Sequence, residues 1–485
     1  MLLEIVKGFD KEGIYMSITS MSFVFAFLPL ALAVYYISNN EIKPYVLLGI
    51  SIVFYAFGSI RYISLFLIDI CITIFVGRSI YKANSRLARK TLLILGVICN
   101  VGLLVFYKNG DALIGKWNVI IGLQETQQNL VLPLGISFFT FKAISYLADI
   151  YKKKVELSDD VVRDALYLSI FTQIQAGPIS RYEESKIVGN GFNSNLFSQG
   201  VYRFLVGFSK KVIISSMLYK SYVEIFATPL EDVSTLYAWL GAICFVLQLL
   251  YDFEGYSDMA IGMSAMFGYK CCENFNYPFM TESIGGFWRR WHMSLGSWFK
   301  DYIYIPLGGS RNQHKIKLYF NLFVVWLLTG VWHGVSGNYI LWAMGTFVAI
   351  SIEKALNLPE RLKSKASKII YRFLSALFSG TMLTVFGTDS FISGLRYINR
   401  MYNFRMGAIV DMRAKFLIKD NWFFICIAVL LCFPIVPFIE EKLQDKAVLA
   451  KLFELCKVAI VVASFVWALS FVVAGQNNPF AYANF

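Results

Sequence analysis

Histidine is the scarcest chemistry-bearing residue of this 485-residue chain, which has three. Charge is scarce as well. Asp, Glu, Lys and Arg make up 16% of the residues, against roughly a quarter in a soluble domain, so an ordinary soluble globule is excluded. The chain contains no HExxH, no GxSxG and no CxxC. It therefore lacks the zinc helix of a metalloprotease, the nucleophile elbow of a serine hydrolase and a paired-cysteine metal or redox motif. The eight cysteines, Cys71, Cys99, Cys244, Cys271, Cys272, Cys426, Cys432 and Cys456, fall mostly in apolar segments and read as small buried apolar residues. There is no internal repeat, low-complexity tract or long linker, which predicts one membrane-embedded domain over 1–485, with 1–15 as a polar extension. No cleavable leader is expected, because the apolar run after MLLEIVKGFDKEGIY continues past Ala31-Leu32-Ala33 into VYYI. The polar lead is expected to lie along the membrane surface, unless Met16 is the true start.

What the chain does have is apolar surface: 57% hydrophobic and 17% aromatic residues, with a mean hydropathy of +0.56. This is an all-α polytopic membrane protein by composition. Apolar runs at 20–38, 44–58, 62–77, 91–107, 131–149, 162–177, 200–218, 234–251, 319–332, 338–352, 373–388, 421–439 and 455–474 predict roughly ten to twelve spans plus re-entrant and interfacial helices. The net charge of +13 points to cytoplasmic loops rather than to nucleic acid. RSIYKANSRLARK (78–90) and ERLKSKASKIIYR (360–372) are placed inside, which puts the N-terminus outside. The basic stretch 389–420 is not assigned a side.

Between about 251 and 318, aromatic, glycine and charged residues mix without a clean twenty-residue run. Such a segment must be buried in protein, line a cavity or lie at the interface. Within GFWRRWHMSLGSWFKDYIYIPLGGSR (286–311), Trp288, Trp291, Leu295, Trp298 and Tyr302 share one helical face, and Arg289, Met293, Gly296 and Lys300 another. That spacing predicts an amphipathic interfacial helix anchored by tryptophans, with His292 on its aromatic face. His333, in TGVWHGVSG (329–337), sits at membrane depth, where an ionisable group marks a functional site by default. His314 lies in the basic loop RNQHKIK and reads as solvated. Two remaining histidines do not make a zinc site; Asp252, Glu254 and Asp258 have the right chemistry, but nothing in their spacing demands a metal. Asp252 and Asp258 read as ion-pair partners of Arg289 or Arg290. LPLGISFFTFKAISYLADIYKKK (132–154) predicts a broken helix start at Pro133 and Gly135, and QIQAGPISRYEE (173–184) a re-entrant or loop segment near the site. What remains is histidine general-base chemistry or a proton relay.

These blocks, with YDFEGYSDMAIGMSAMFGYKCCENFNYPF (251–279), TGVWHG and the ending NNPFAYANF, resemble the membrane-bound O-acyltransferase (MBOAT) family. They are most similar to its bacterial branch of alginate O-acetyltransferases and teichoic-acid D-alanyl transfer proteins. DYIYIPLGGSR (301–311) places the resemblance closer to the polysaccharide O-acetyltransferases. Glu254 and FTQIQAGP depart from the pattern beside the motifs, not at the histidines.

The resemblance implies a helical bundle around a central tunnel, with His333 and His292 as the catalytic pair. Trp332, Trp291, Arg289, Arg290, Asp252, Asp258, Asn274, Asp301 and Asn321 are the supporting positions. It implies transfer of an acyl group, acetyl in this branch, from a cytosolic thioester (acetyl-CoA or an acyl carrier protein) to a hydroxyl of an extracytoplasmic polysaccharide or of an exported acyltransferase partner. No bound cofactor and no metal are expected. Lys300, Arg311, Lys315 and Lys317 carry either the ordinary positive charge of an inside loop or, if that loop faces the cytosol, a field that attracts the anionic donor. His333 is expected to be the general base, and His292 to orient the reactants or donate to the oxyanion. The rival expectations are D-alanyl transfer to teichoic acid, a lipid-linked glycan transporter or flippase, and a non-catalytic scaffold. The absence of an inverted repeat speaks against the transporter.

Overall fold

The computed structural model describes residues 16–121, 131–157, 159–184, 191–310, 315–405 and 407–476. The polar lead, Arg311, His314 and the NNPFAYANF ending lie outside the described residues. Within them the chain is helical and contains no strand. Seven helices are long and apolar enough to span a membrane, or eight if Met412–Leu431 and Ile435–Leu443, bent by 57°, count as one. Other apolar runs form shorter helices, such as Phe23–Ile37 and Ile136–Tyr151. The run 162–177 divides into Val161–Ser169 and Phe171–Ile174.

The chain forms two compact units, residues 1–204 with 259–272, and residues 205–258 with 273–485. In the first, every residue from Ile136 to Ile150 is buried, Lys142 and Asp149 included. It starts at Gly135, whose φ of +68° suits glycine and where a Cβ would lie 2.0 Å from the Ile174 carbonyl oxygen. Phe27, Phe54, Phe171 and Phe267 pack ring on ring beside it. Asp164 is fully buried and accepts from Arg78 (2.9 Å), Tyr146 (3.1 Å) and Tyr182.

In the second unit, Lys315–His333 and Gly337–Leu356 form a tight hairpin. Gly330 permits the close approach, since a Cβ there would stand 2.9 Å from that of Ala343. Asn338 closes the next helix onto the hairpin by donating to the carbonyls of Phe386 (3.0 Å) and Thr388.

The cysteines depart from expectation. Only Cys244 and Cys432 are buried; Cys71, Cys99, Cys426 and Cys456 are exposed on apolar helices, and Cys271 and Cys272 are half-exposed. A small apolar thiol is as compatible with a lipid-facing helix surface as with a core.

Candidate active site

The site residues expected from sequence all belong to the second unit. The 286–311 block is not one helix. It forms a short helix, Ile284–Trp288, a turn, a second helix, Met293–Phe299, and a π-helical turn, Lys300–Tyr304. The break falls at His292, whose φ is +46°. Its tryptophans are not interfacial anchors: Trp291, Leu295 and Trp298 are buried in protein and Trp288 is half-buried, while Arg289 is exposed.

The turn is held by Asn274. The Met293 amide donates to the Asn274 carbonyl (2.9 Å), and the Asn276 amide to that of Arg290 (3.0 Å). Asn274 Oδ1 accepts from the Ser294 amide (3.2 Å) and the Ser294 hydroxyl (2.8 Å), and lies 3.0 Å from His292 Nδ1. Its Nδ2 donates to Ser257 (2.9 Å). A backbone N–H has no acceptor function, so the Ser294 amide fixes which end of the Asn274 amide is oxygen. His292 must then donate through Nδ1, and its neutral form carries the lone pair on Nε2. His292 is 4% exposed, and burial pushes it below the ordinary histidine value, toward the neutral ring.

His333 ends its helix and is 7% exposed. Its ring packs against Trp332 (4.4 Å between centroids), Phe386 (4.8 Å), Trp342 (5.3 Å) and Tyr339 (6.1 Å). A continuous series of ring contacts runs from it to His292. Trp342 meets Trp288 (5.4 Å), Trp288 meets Trp291 (6.4 Å), and Trp291 meets Phe275 (5.4 Å). Phe275 then meets Phe253 (5.2 Å), which meets His292 (4.5 Å). The two imidazoles thus stand at the ends of one aromatic wall.

The acidic positions take other partners than expected. Asp252 pairs with Lys211 and accepts from Ser215 (3.1 Å), while Lys210 binds both Glu254 (3.1 Å) and Asp258 (2.9 Å). Arg289 and Arg290 are not among these partners; Arg290 reaches the Asn276 carbonyl at 3.5 Å. The cause is a close helix crossing, in which a Cβ on Gly255 would lie 2.7 Å from the Gly207 oxygen, bringing the π-helical turn Lys210–Ser215 against the acids. Asn321 is buried and donates to the Gly309 carbonyl (3.4 Å), shaping the PLGG turn. Asp301 is half-buried in the π-helical turn.

Sequence reasoning passed over three features. Trp342 is 3% exposed and its indole N–H has no hydrogen-bond partner among the described residues. Glu353, the lone acid of its apolar helix, accepts from the amides of Ile284 (2.7 Å) and Gly285 (3.2 Å) and from the Tyr371 hydroxyl (2.8 Å). The Lys210–Lys211 pair, set in an apolar run, was the signal for the acids' partners. Among the described residues no group of three or more His, Cys, Asp or Glu is placed to hold a metal ion.

The profile of the membrane-bound O-acyltransferase family matches residues 117–387. A probable alginate O-acetylase of Pseudomonas aeruginosa is 38% identical over 70% of this chain and 66% of its own length. One from Azotobacter vinelandii is 35% identical over 82% of this chain and 80% of its own. A peptidoglycan O-acetyltransferase of Helicobacter pylori is 34% identical over 69% of each.

Proposed function

This chain belongs to the membrane-bound O-acyltransferase family, and from that premise we propose that it moves an acetyl group from a cytosolic thioester to a hydroxyl of an extracytoplasmic glycan, either directly or through an exported partner. The enzyme class and the multi-pass membrane setting follow from the family and from the apolar helices. Acetyl and glycan are taken from the relatives named for alginate and peptidoglycan O-acetylation.

In the proposed reaction the acceptor hydroxyl attacks the thioester carbonyl while His333 takes its proton, which then leaves with the donor thiol. The observation that carries the reading is the buried histidine pair at the two ends of one aromatic wall, with His292 locked by Asn274. Its tautomer refines the expected role. Neutral His292 presents a lone pair on Nε2, so it accepts from a neighbouring hydroxyl of the glycan and orients the acceptor, and it does not donate to an oxyanion. The Trp342 indole N–H, on a buried ring that packs against His333, is a donor for the developing negative charge.

The test uses purified protein in liposomes with labelled acetyl-CoA, then acetyl carrier protein, supplied on one side and a glycan acceptor on the other. Label should move to the glycan, and His333→Ala should lower the rate by about 10²-fold or more. Near-normal turnover in the variant removes His333 from the reaction. Transport of glycan without acylation would favour the flippase.

A further inference from the structure

The first unit contains a nucleophilic cluster that the reaction above does not use. Lys142, on the wholly buried helix Ile136–Tyr151, is 2% exposed. Its Nζ has no hydrogen-bond partner among the described residues; it lies 4.9 Å from the centre of the Tyr167 ring and within electrostatic reach of Cys271 and Cys272. Both cysteines are partly buried. Gln173 Nε2 donates to Cys271 Sγ at 3.3 Å, and its own Oε1 is buried without a hydrogen-bond partner among the described residues. The Ser180 hydroxyl is 3.6 Å from one sulfur and 3.8 Å from the other. A buried amine that becomes charged needs an anion close by, and the groups placed to supply one are the two thiols.

We propose that Cys272, with Cys271 and Lys142, forms a second acyl-acceptor site that takes an acyl group from a thioester. The inference rests on the thioester donor proposed above. Cys272 is the acceptor because Gln173 already engages the Cys271 sulfur, while the Ser180 hydroxyl reaches both; beside Cys271, Ser180 and Arg181 the Cys272 thiol lies below its ordinary value. The Cys272 sulfur attacks the thioester carbonyl carbon, and its proton passes to the Lys142 amine. The bond from that carbon to the donor sulfur breaks, and the departing thiolate takes the proton back. One thioester replaces another, so no oxidant or reductant is needed.

The test incubates the full-length protein in lipid vesicles with radiolabelled acetyl-CoA and no glycan, denatures it, and treats half with neutral hydroxylamine, which cleaves thioesters readily. A parallel reaction contains the glycan. Hydroxylamine-labile label is expected on the peptide carrying Cys271 and Cys272. It should persist in His333→Ala, and fall about tenfold or more in Cys272→Ser and in Lys142→Met. If label reaches the glycan but the protein carries none, or if Cys272→Ser is labelled like wild type, the second site is overturned and the donor assignment stands. If neither glycan nor protein is labelled from acetyl-CoA or acetyl carrier protein, both fall.

Discussion

At the scale of single residues, the histidines were legible because so few exist and two of them sit in tryptophan-rich blocks. Trp342 was not, because one more tryptophan in an apolar helix carries no sequence mark of an unsatisfied indole N–H. Trp342→Phe keeps an aromatic ring against His333 and removes the indole N–H together with the five-membered part of the ring. Turnover should fall about 10-fold to 10²-fold with little change in KM, because the charge it meets exists only in the transition state. Wild-type kcat in the variant would sink the assignment. His292 supplies a pH signature. Its buried ring resists the proton that the unfolded chain takes up below about pH 6.5. The unfolded state therefore binds more protons there, and stability is full above that pH and lost as the pH falls, by at most about 1.4 kcal/mol per unit. Thermal midpoints measured from pH 7.5 to 5.5 should drop less in His292→Asn than in wild type. Parallel curves would show that this ring does not set the slope.

At the scale of elements, the apolar spacing of 286–311 was real, yet it predicted one helix where the chain makes two. Periodicity records which side chains are buried together, and a turn that keeps Trp288, Trp291 and Trp298 facing inward satisfies the same pattern. The break depends on distant polar groups, Asn274 on one side and Glu353 on the other, which a local reading does not bring into view. Glu353 ties the Ile284–Trp288 helix to Gly337–Leu356 and Lys365–Phe386, so the helix that carries Trp342 also holds the approach to His292. Glu353→Gln keeps the size but turns a poorer acceptor, or an N–H group, toward two buried amides, which costs about 1–3 kcal/mol. The variant should lose both thermal stability and turnover, with kcat falling more than KM changes, and Glu353→Asp should not restore it because the shorter chain withdraws the oxygens. A Glu353→Gln enzyme with wild-type kcat and midpoint would remove Glu353 from the site's support.

At the scale of the whole molecule, composition and hydropathy were enough for the class, since lipid asks only for helices with apolar surfaces. They did not resolve every run into a span. A window of apolar residues reads alike whether its helix faces lipid or, like Ile136–Ile150, is buried on all sides. Orientation rests on a different signal, the basic loops, and it decides which side the thioester must approach. Asn84 and Lys363 are exposed, in the short connections within the basic stretches 78–90 and 360–372 that are expected to face the cytoplasm. Asn84→Cys and Lys363→Cys, made with the exposed native cysteines and Cys271 and Cys272 changed to serine, should react with a membrane-impermeant maleimide in inverted vesicles and stay unreactive in right-side-out ones. Transfer from externally added acetyl-CoA should follow the same sidedness and occur in inverted vesicles alone. Labelling of both loops from the outer face, with transfer still confined to inverted vesicles, would separate the donor entrance from the basic loops. The positive charge would then serve to orient the chain in the membrane and not to attract the donor.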